Sequence, residues 1–246
     1  MIRIFMFMTA LTLLPAAAMA AGFTEDQRAE IKEIVKEAIM ENPQTLIDSV
    51  EAYGLKQQEQ EQAKQGEKIQ DFVKNLPEDI ASFSTGNPKG DVHIIEFFDY
   101  NCGFCKKAFP QVQKMLKDDK NIYFTFFEMP ILGPSSQEAA QWAVMAAHQG
   151  KYFEFHQAVM DFKGQLTTET LEKIAKDVGL DVKKAKNNKD KMDVQEYLAN
   201  NKKLAADLGF TGTPGFLIND KDVHGYLDYD QMLKIIDTVR EENKEK

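Results

Sequence analysis

Apolar residues are spaced differently in the two parts of the chain, and this difference predicts two kinds of structure. In residues 24–50 they recur at the spacing of one helix face, for example at Ile31, Ile34 and Val35 and again at Leu46 and Val50. Residues 56–68 are polar all round. From residue 69 onward, strand-like runs alternate with helical spacing. The pattern predicts a helical arm with a polar tether over residues 21–68, followed by a mixed domain over residues 69–246.

Two nearly unbroken apolar runs, residues 93–98 and 122–127, are typical of strands covered on both faces of a sheet. After the second run, a block of helices is predicted over about residues 135–209. It begins with a capping box of Ser135 and Glu138. A hairpin at 216–225 and a last helix from Asp228 follow. The order predicts an α/β sheet with a helical insertion.

The predicted arm begins with Thr24 and Gln27 at capping-box spacing, and Asn42-Pro43 ends one helix and starts another. An apolar stripe that precedes a polar tether is buried most simply against a copy of itself. The arm is therefore predicted to form a homo-oligomer, a dimer or a trimer. Folding of the arm back onto its own domain is the alternative.

The first twenty residues have the pattern of a cleaved signal peptide. Arg3 precedes the apolar run 4–14, and Ala18-Met19-Ala20 supplies the small residues read by a signal peptidase, so that Ala21 would become the N-terminus. The run is too short for a membrane anchor, which needs roughly 20 residues. We expect export to the periplasm.

Charge argues against one class of partner. Without Arg3, 29 lysines and arginines stand against 39 aspartates and glutamates, a formal net charge of −10. Nucleic acids recruit basic surfaces, so we expect no nucleic-acid partner.

The chain contains only two cysteines, Cys102 and Cys105, separated by two residues. A disulfide that closes so short a loop removes little entropy from the unfolded chain, which favours exchange over structural stabilisation. The pair lies where a strand gives way to a helix, so the first sulfur meets unpaired N–H groups that favour a thiolate, with Lys106 and Lys107 adding positive charge. Cys102 is predicted to be the nucleophile and Cys105 the resolving thiol.

Glu96 lies within a predicted buried strand, on the same side as Ile94 and Phe98. A buried carboxylate is costly, so its pKa is expected to be raised, and it could exchange a proton with the inner thiol. Alternatively, Glu96 reaches a lysine at the end of the strand and is structural.

A zinc site is the other chemistry open to paired cysteines. No histidine stands at metal-ligand spacing from another histidine or near another cysteine; the four are His93, His148, His156 and His224. Neither a metal nor another cofactor is therefore predicted.

Three segments carry a family resemblance: EFFDYNCGFCKKAFP at 96–110, TGTPGF at 211–216 and EIKEIVKEAIMENPQTLIDSV at 30–50. The first two and the helical block between them resemble the DsbA-like branch of the thioredoxin superfamily, and the third resembles the N-terminal oligomerisation segment of its ScsC-type and outer-membrane-immunogen-type members. The resemblance implies a thioredoxin fold with an inserted helical domain. It also implies that Glu96 is the buried acid of the fold and that Thr213 and Pro214 form a cis-proline loop that binds substrate.

The dipeptide between the cysteines departs from the strongly oxidising members of this branch, which carry a histidine before the second cysteine. Here the residues are Gly103 and Phe104, so we expect a less stabilised thiolate and a less oxidising disulfide. Phe104 either offers partners an apolar surface or packs against the loop.

These features predict a periplasmic thiol-disulfide oxidoreductase that exchanges disulfides in cysteine-containing exported proteins, with isomerase or reductase character. A membrane thiol-disulfide partner would reset its redox state. Two alternatives stay open, an oligomeric chaperone or binding module with an incidental redox pair, and a copper-handling protein.

Overall fold

A computed structural model describes residues 22–244 of the chain. The predicted signal peptide, residues 1–20, lies outside this range and stays a prediction. The described residues belong to two compact units, an N-terminal unit up to Gln60 and a C-terminal unit from Glu61.

Two helices follow the Thr24 cap. Helix α1 spans Glu25–Glu41, and the predicted capping box is confirmed, because the Gln27 N–H donates to the Thr24 hydroxyl at 3.3 Å and the Thr24 N–H donates to the Gln27 side chain at 3.0 Å. Helix α2 spans Pro43–Lys74. No residue of α1 is buried in the part of the chain that the structure describes.

The predicted polar tether at residues 56–68 is wrong in its conformation, because this segment is a continuous part of α2. Lys64 and Glu61 form an ion pair at 2.9 Å on the helix surface, a spacing that supports a polar helix. The last turns of α2 carry Ile69 and Phe72, which are buried in the C-terminal unit. Polarity alone therefore did not distinguish a solvated helix from a linker.

The C-terminal unit is built on one five-stranded sheet. A 3-10 helix at Glu78–Phe83 leads into β1 (Ser84–Gly86), and β2 (Val92–Phe98), β3 (Ile122–Glu128), β4 (Gly215–Ile218) and β5 (Lys221–His224) complete the strands. Their order in the sheet is β1-β3-β2-β4-β5. Strands β2 and β3 are parallel, and the other pairs are antiparallel. The predicted hairpin is the pair β4 and β5.

The helices of this unit follow the predicted order. Helix α3 (Gly103–Asp118) connects β2 to β3, and α9 (Tyr229–Lys244) ends the described chain. The five helices between β3 and β4 are α4 (Pro134–Ala147), α5 (Tyr152–Asp161), α6 (Thr168–Asp177), α7 (Val182–Lys186) and α8 (Met192–Asp207).

The predicted capping box at Ser135 is wrong. Helix α4 begins at Pro134, after Gly133 with φ 124°, and has no side-chain cap. The Ser135 hydroxyl instead accepts a hydrogen bond from the Asn101 side chain at 2.8 Å. The spacing of a serine and a glutamate matched the motif, but the residue in capping position is Gly133, which has no side chain to accept a hydrogen bond.

Strand β2 is covered on both faces, as predicted. Ile94 and Phe98 join a core formed with α3, α9 and the inserted helices, whereas Ile95 and Phe97 pack in a second cluster with Ile69 of α2 and its neighbours. Glu96 shares the face of Ile94 and Phe98, so its carboxyl group points into the first core.

Within residues 22–244, no helix has the length and apolar character needed to cross a membrane.

Candidate active site

The two cysteines lie at the start of α3, directly beyond the end of β2. Cys102 is the N-cap residue of α3, and its sulfur accepts the N–H of Cys105 at 3.4 Å. The thiol also lies 3.3 Å from the Thr213 carbonyl oxygen. Cys102 is 6% exposed and Cys105 is fully buried, so of the pair only Cys102 has any exposed surface.

The surroundings of Cys102 stabilise a thiolate. Its pKa is lowered to about 5, first by a hydrogen bond from the Cys105 thiol, and further by the side chain of Thr213 and by the N–H groups of Cys105 and Phe104. Partial burial opposes the shift. These donors act without a neighbouring imidazole, and a thiol with this pKa is ionised at neutral pH.

Cys105 has the opposite character. Burial, the hydrogen bond to Cys102 and the charge of Glu96 all raise the pKa of the Cys105 thiol. The inner sulfur is therefore held as a protonated thiol beside an ionised one, so Cys105 must give up a proton before it can attack a mixed disulfide.

The predicted contribution of the two lysines to this site is wrong. The Lys106 amine donates to the carbonyl oxygens of Phe162 at 2.9 Å and Val159 at 3.3 Å, at the end of α5, and its burial lowers its pKa. The Lys107 amine lies 4.3 Å from the centre of the Tyr226 ring. Neither amine is among the groups that lower the pKa of Cys102. Their place in the first turn of α3 did not determine where their long side chains end.

Glu96 is completely buried, and neither of its carboxyl oxygens has a hydrogen-bond partner among the described residues. Burial is the main cause of its raised pKa, and the charge of Cys102 adds to it. No described lysine pairs with this carboxyl group, so the observed surroundings do not match the alternative of a structural ion pair.

The remaining predicted site residues come from two places. The Thr213–Pro214 peptide bond is cis, and the Pro214 carbonyl accepts the Gly225 N–H at 2.9 Å. Phe104 is 60% exposed, with its ring centre 6.3 Å from that of Tyr226. The structure thus brings Thr213 and Glu96 to the cysteine pair and leaves Phe104 at the surface beside it.

A buried polar cluster, not predicted from the sequence, lies behind the site. Glu128, at the end of β3, accepts hydrogen bonds from the hydroxyls of Tyr100 at 3.0 Å and Tyr152 at 2.9 Å. The Tyr100 hydroxyl also lies 3.2 Å from Nδ1 of His156. Burial raises the pKa of Glu128 and lowers that of His156 to about 3. The signal for Glu128 was the same as for Glu96, an acid within a buried apolar run.

A second missed pair, Asp99 and Asn101, precedes Cys102 directly. The buried Asp99 carboxylate accepts the Asn101 N–H at 2.7 Å, and the Asp99 carbonyl accepts the Cys102 N–H at 3.0 Å. Polar residues that follow a buried strand and precede a helix were the available signal.

A sheet of this order, with a cysteine pair capping α3 opposite a cis-proline, defines a thioredoxin fold that carries a helical insertion. The chain belongs to the thioredoxin family, whose pattern matches residues 78–238. Residues 27–60 match the family described as the copper resistance protein ScsC N-terminal domain. The predicted fold class and the predicted resemblance to ScsC-type, DsbA-like proteins are confirmed.

Solved structures agree with this assignment. A thioredoxin-like oxidoreductase from Silicibacter pomeroyi is 39% identical, covers 64% of this chain and 91% of its own, and superposes with a TM-score of 0.62. The thiol-disulfide exchange protein alpha-DsbA2 from Wolbachia pipientis is 29% identical over 72% of this chain and 96% of its own, with a TM-score of 0.63. Proteus mirabilis ScsC in a transitional conformation is 26% identical over 88% of this chain and 98% of its own, with a TM-score of 0.62.

Curated relatives include a Na(+)/H(+) antiporter NhaA 1 from Salinispora arenicola, 28% identical over 151 residues. The match covers 57% of this chain but only 22% of that protein. Disulfide bond formation protein D from Bacillus subtilis is 27% identical over 62% of this chain and 74% of its own length.

Proposed function

We propose that this protein is a thiol-disulfide oxidoreductase that exchanges disulfides in exported proteins. The observation that carries the proposal is the contrast between the two sulfurs, since Cys102 has a pKa of about 5 while that of the buried Cys105 is raised. Relatives whose names describe oxidoreductase or thiol-disulfide exchange activity support the same class of reaction.

In the reducing direction, the Cys102 thiolate attacks one sulfur of a client disulfide. A mixed disulfide forms and the other client sulfur leaves as a thiolate, which takes up a proton. Cys105 then loses its proton and attacks the Cys102 sulfur, releasing the second client thiol. The client gains two electrons, and the enzyme becomes the Cys102–Cys105 disulfide. Oxidation of a client dithiol is the same sequence reversed.

Glu96 is the proton acceptor that we assign to Cys105. The charge of Glu96 raises the pKa of Cys105, so the two groups are close enough to interact electrostatically. A carboxyl group with a raised pKa can take the thiol proton and return it without being ionised permanently in the core. The role predicts that Glu96→Gln slows the resolving step while Cys102 still forms mixed disulfides.

Thr213, Pro214 and Phe104 are the residues that we assign to client binding. Thr213 contacts the Cys102 sulfur through its carbonyl at 3.3 Å, so a client sulfur bound to Cys102 would lie beside this segment. The exposed ring of Phe104, two residues after Cys102, offers an apolar surface to the same client.

Export, self-association and an isomerase or reductase direction complete the proposal. The pattern of residues 1–20 supports export to the periplasm, where a membrane partner would restore the redox state. The ScsC-type match of residues 27–60 and the exposed apolar side chains of α1 support a homo-oligomer. Several active sites in one assembly suit the reshuffling of wrong disulfides.

The pH dependence of alkylation tests the chemistry. We expect the rate of Cys102 modification by iodoacetamide to rise through about pH 5 and to level off by about pH 7, because the thiolate is the reactive form. Cys105→Ser should accumulate mixed disulfides with exported proteins, and Cys102→Ser, the matched control, should accumulate none. An alkylation midpoint near pH 9, the ordinary value for this thiol, would defeat the proposal.

A truncated form that begins at Glu61 tests the role of the N-terminal unit. We expect a monomer that still reduces insulin but loses the ability to refold scrambled ribonuclease. Residue 61 is the appropriate start, because Ile69 and Phe72 belong to the core of the C-terminal unit. Equal isomerase activity in the full and truncated forms would rule out the isomerase part.

The exposed apolar residues of the N-terminal unit, such as Ile34, Val50 and Tyr53, favour a second candidate, a binding module whose redox pair is incidental. It predicts that Cys102→Ser leaves client binding intact. Copper handling, suggested by the description of the family that residues 27–60 match, predicts copper bound to the reduced protein and absent from Cys102→Ser.

A further inference from the structure

One carboxylate fastens the loop before Cys102 to the loop after β3. Asp99 is 1% exposed, and one of its oxygens, Oδ1, accepts the Asn101 N–H at 2.7 Å and the Ser136 hydroxyl at 2.7 Å. The other, Oδ2, accepts the N–H groups of Ile131 at 2.8 Å and Leu132 at 2.9 Å. Four donors on one buried carboxylate hold the two loops in one arrangement.

The segment that Asp99 holds after β3 is the 130–133 loop. Its backbone is bound to Asp99, yet its two apolar side chains point outward, with Ile131 39% and Leu132 52% exposed. The Asn101 side chain adds bonds to the hydroxyls of Ser135 at 2.8 Å and Ser136 at 2.9 Å, at the start of α4. Two neighbouring apolar side chains that stay exposed on a hydrogen-bonded backbone form a small surface suited to contact with an apolar group.

This surface shares its support with the reactive sulfur. The Asp99 carbonyl accepts the Cys102 N–H at 3.0 Å, so the same residue holds the nucleophile through its backbone and the 130–133 loop through its side chain. Asp99 therefore holds Ile131 and Leu132 at a fixed position relative to Cys102.

We infer that Ile131 and Leu132 determine client specificity by contacting an apolar side chain next to the client cysteine, and that Asp99 is the positioning residue that holds them there. This inference rests on the proposed function. It predicts a preference among clients that is separable from thiol reactivity, because the side chain of Asp99 is not among the groups that set the pKa of Cys102.

Two synthetic peptides test it, each with one cysteine in a mixed disulfide with glutathione, flanked in one by leucines and in the other by serines. The reduced enzyme converts either into peptide thiol and glutathione while forming its own disulfide. We expect the wild type to favour the leucine peptide by about tenfold in kcat/KM, from the burial of roughly two methylene groups, expressed mainly in KM. Leu132→Ser should remove most of this preference.

Asp99→Asn should also reduce the preference, because an amide cannot accept at both positions and turns N–H groups towards those of Ile131 and Leu132. Its alkylation midpoint should stay near that of the wild type. A stabilising additive should not restore the preference of this variant, because the variant has lost the orientation of Ile131 and Leu132. Asp119→Asn is the matched control: Asp119 also accepts a backbone N–H, that of Asn121 at 2.9 Å, and pairs with Arg240 at the opposite end of α3. It should leave the preference unchanged.

Met192→Ser is a second control, since Met192 is an exposed apolar residue at the start of α8 and should not affect the preference. If Asp99→Asn does not fold, Leu132→Ser alone decides. Equal conversion of both peptides by an active wild type, or a full preference in Leu132→Ser, would overturn the inference alone. A wild type that reduces neither peptide would overturn the proposed function.

Discussion

Helices in the N-terminal and C-terminal units carry apolar residues at the same spacing, but the two units use them differently. In the N-terminal unit, Ile34 is 57% and Val50 64% exposed, whereas in the C-terminal unit Trp142 of α4 and Ile236 of α9 are fully buried. The comparison teaches that periodicity identifies a helix face without identifying what covers it. In one unit the covering element lies within the same chain, and in the other we propose a second copy.

The largest expected effect comes from removing a buried side chain of the C-terminal unit. Trp142→Ala should lower the free energy of unfolding by about 3–5 kcal/mol, because a fully buried indole leaves a cavity that the fold cannot close. Urea unfolding measures it. The matched change Ile34→Ala should cost the C-terminal unit less than about 0.5 kcal/mol but weaken self-association, visible in the solution mass. Equal losses of stability would contradict the difference between the units.

Acid should weaken the C-terminal unit through His156, and the N-terminal unit, residues 22–60, contains no histidine. The folded state holds the pKa of His156 at about 3, against an ordinary 6.5, because the ring is buried. Below about pH 6.5 the unfolded chain binds a proton that the folded chain does not, so this contribution to stability is lost as pH falls. Between pH 7 and pH 5 the loss should reach about 2 kcal/mol.

The raised pKa values of Glu96 and Glu128 act in the opposite sense, since each of these acids stabilises the fold as pH falls. The histidine contribution is therefore measured as a difference, by urea unfolding of the wild type and His156→Phe at pH 7 and pH 5. The variant should lose less stability on acidification. His148 is exposed, so His148→Phe serves as the control, and its loss of stability between pH 7 and pH 5 should equal that of the wild type. An unchanged pH dependence in His156→Phe would count against the buried neutral ring.

The smallest expected effect compares two helix caps of the same kind. Thr24 caps α1 in the N-terminal unit, and Thr167 caps α6 in the C-terminal unit by accepting the Thr170 N–H at 3.2 Å. Thr24→Ala should speed amide exchange in the first turn of α1 about fivefold, from a loss of about 1 kcal/mol, without changing the unfolding of the C-terminal unit. Thr167→Ala should lower the free energy of global unfolding of the C-terminal unit by a similar amount. If hydrogen exchange showed that both variants lower the global stability, the two caps would not differ as expected.

Local rules predicted much of the fold. The cap at Thr24, the two strands buried on both faces and the place of Cys102 before a helix all follow from short patterns. The position of Glu96 on one face of β2 follows from strand alternation alone. These features depend on neighbours within a few residues, which a sequence shows directly.

The errors concern contacts that spacing does not determine. The Lys106 amine reaches the end of α5 because its flexible stem crosses to Phe162, 56 residues later in the sequence. Residues 56–68 stay helical because α2 continues to the buried Ile69 and Phe72. The bonds of Asp99 to Ile131 and Leu132 join segments that only the folded sheet brings together. Each needed the tertiary structure to be known.

Glu96 has a practical consequence for anyone who engineers this protein. A carboxyl group in an apolar interior, with no hydrogen-bond partner in the described chain, costs the fold stability that a hydrocarbon side chain of similar volume would restore. A selection for heat resistance alone would favour Glu96→Leu or Glu96→Met, and, with the proton-acceptor role that we propose for Glu96, the selected proteins would be more stable but would turn over slowly.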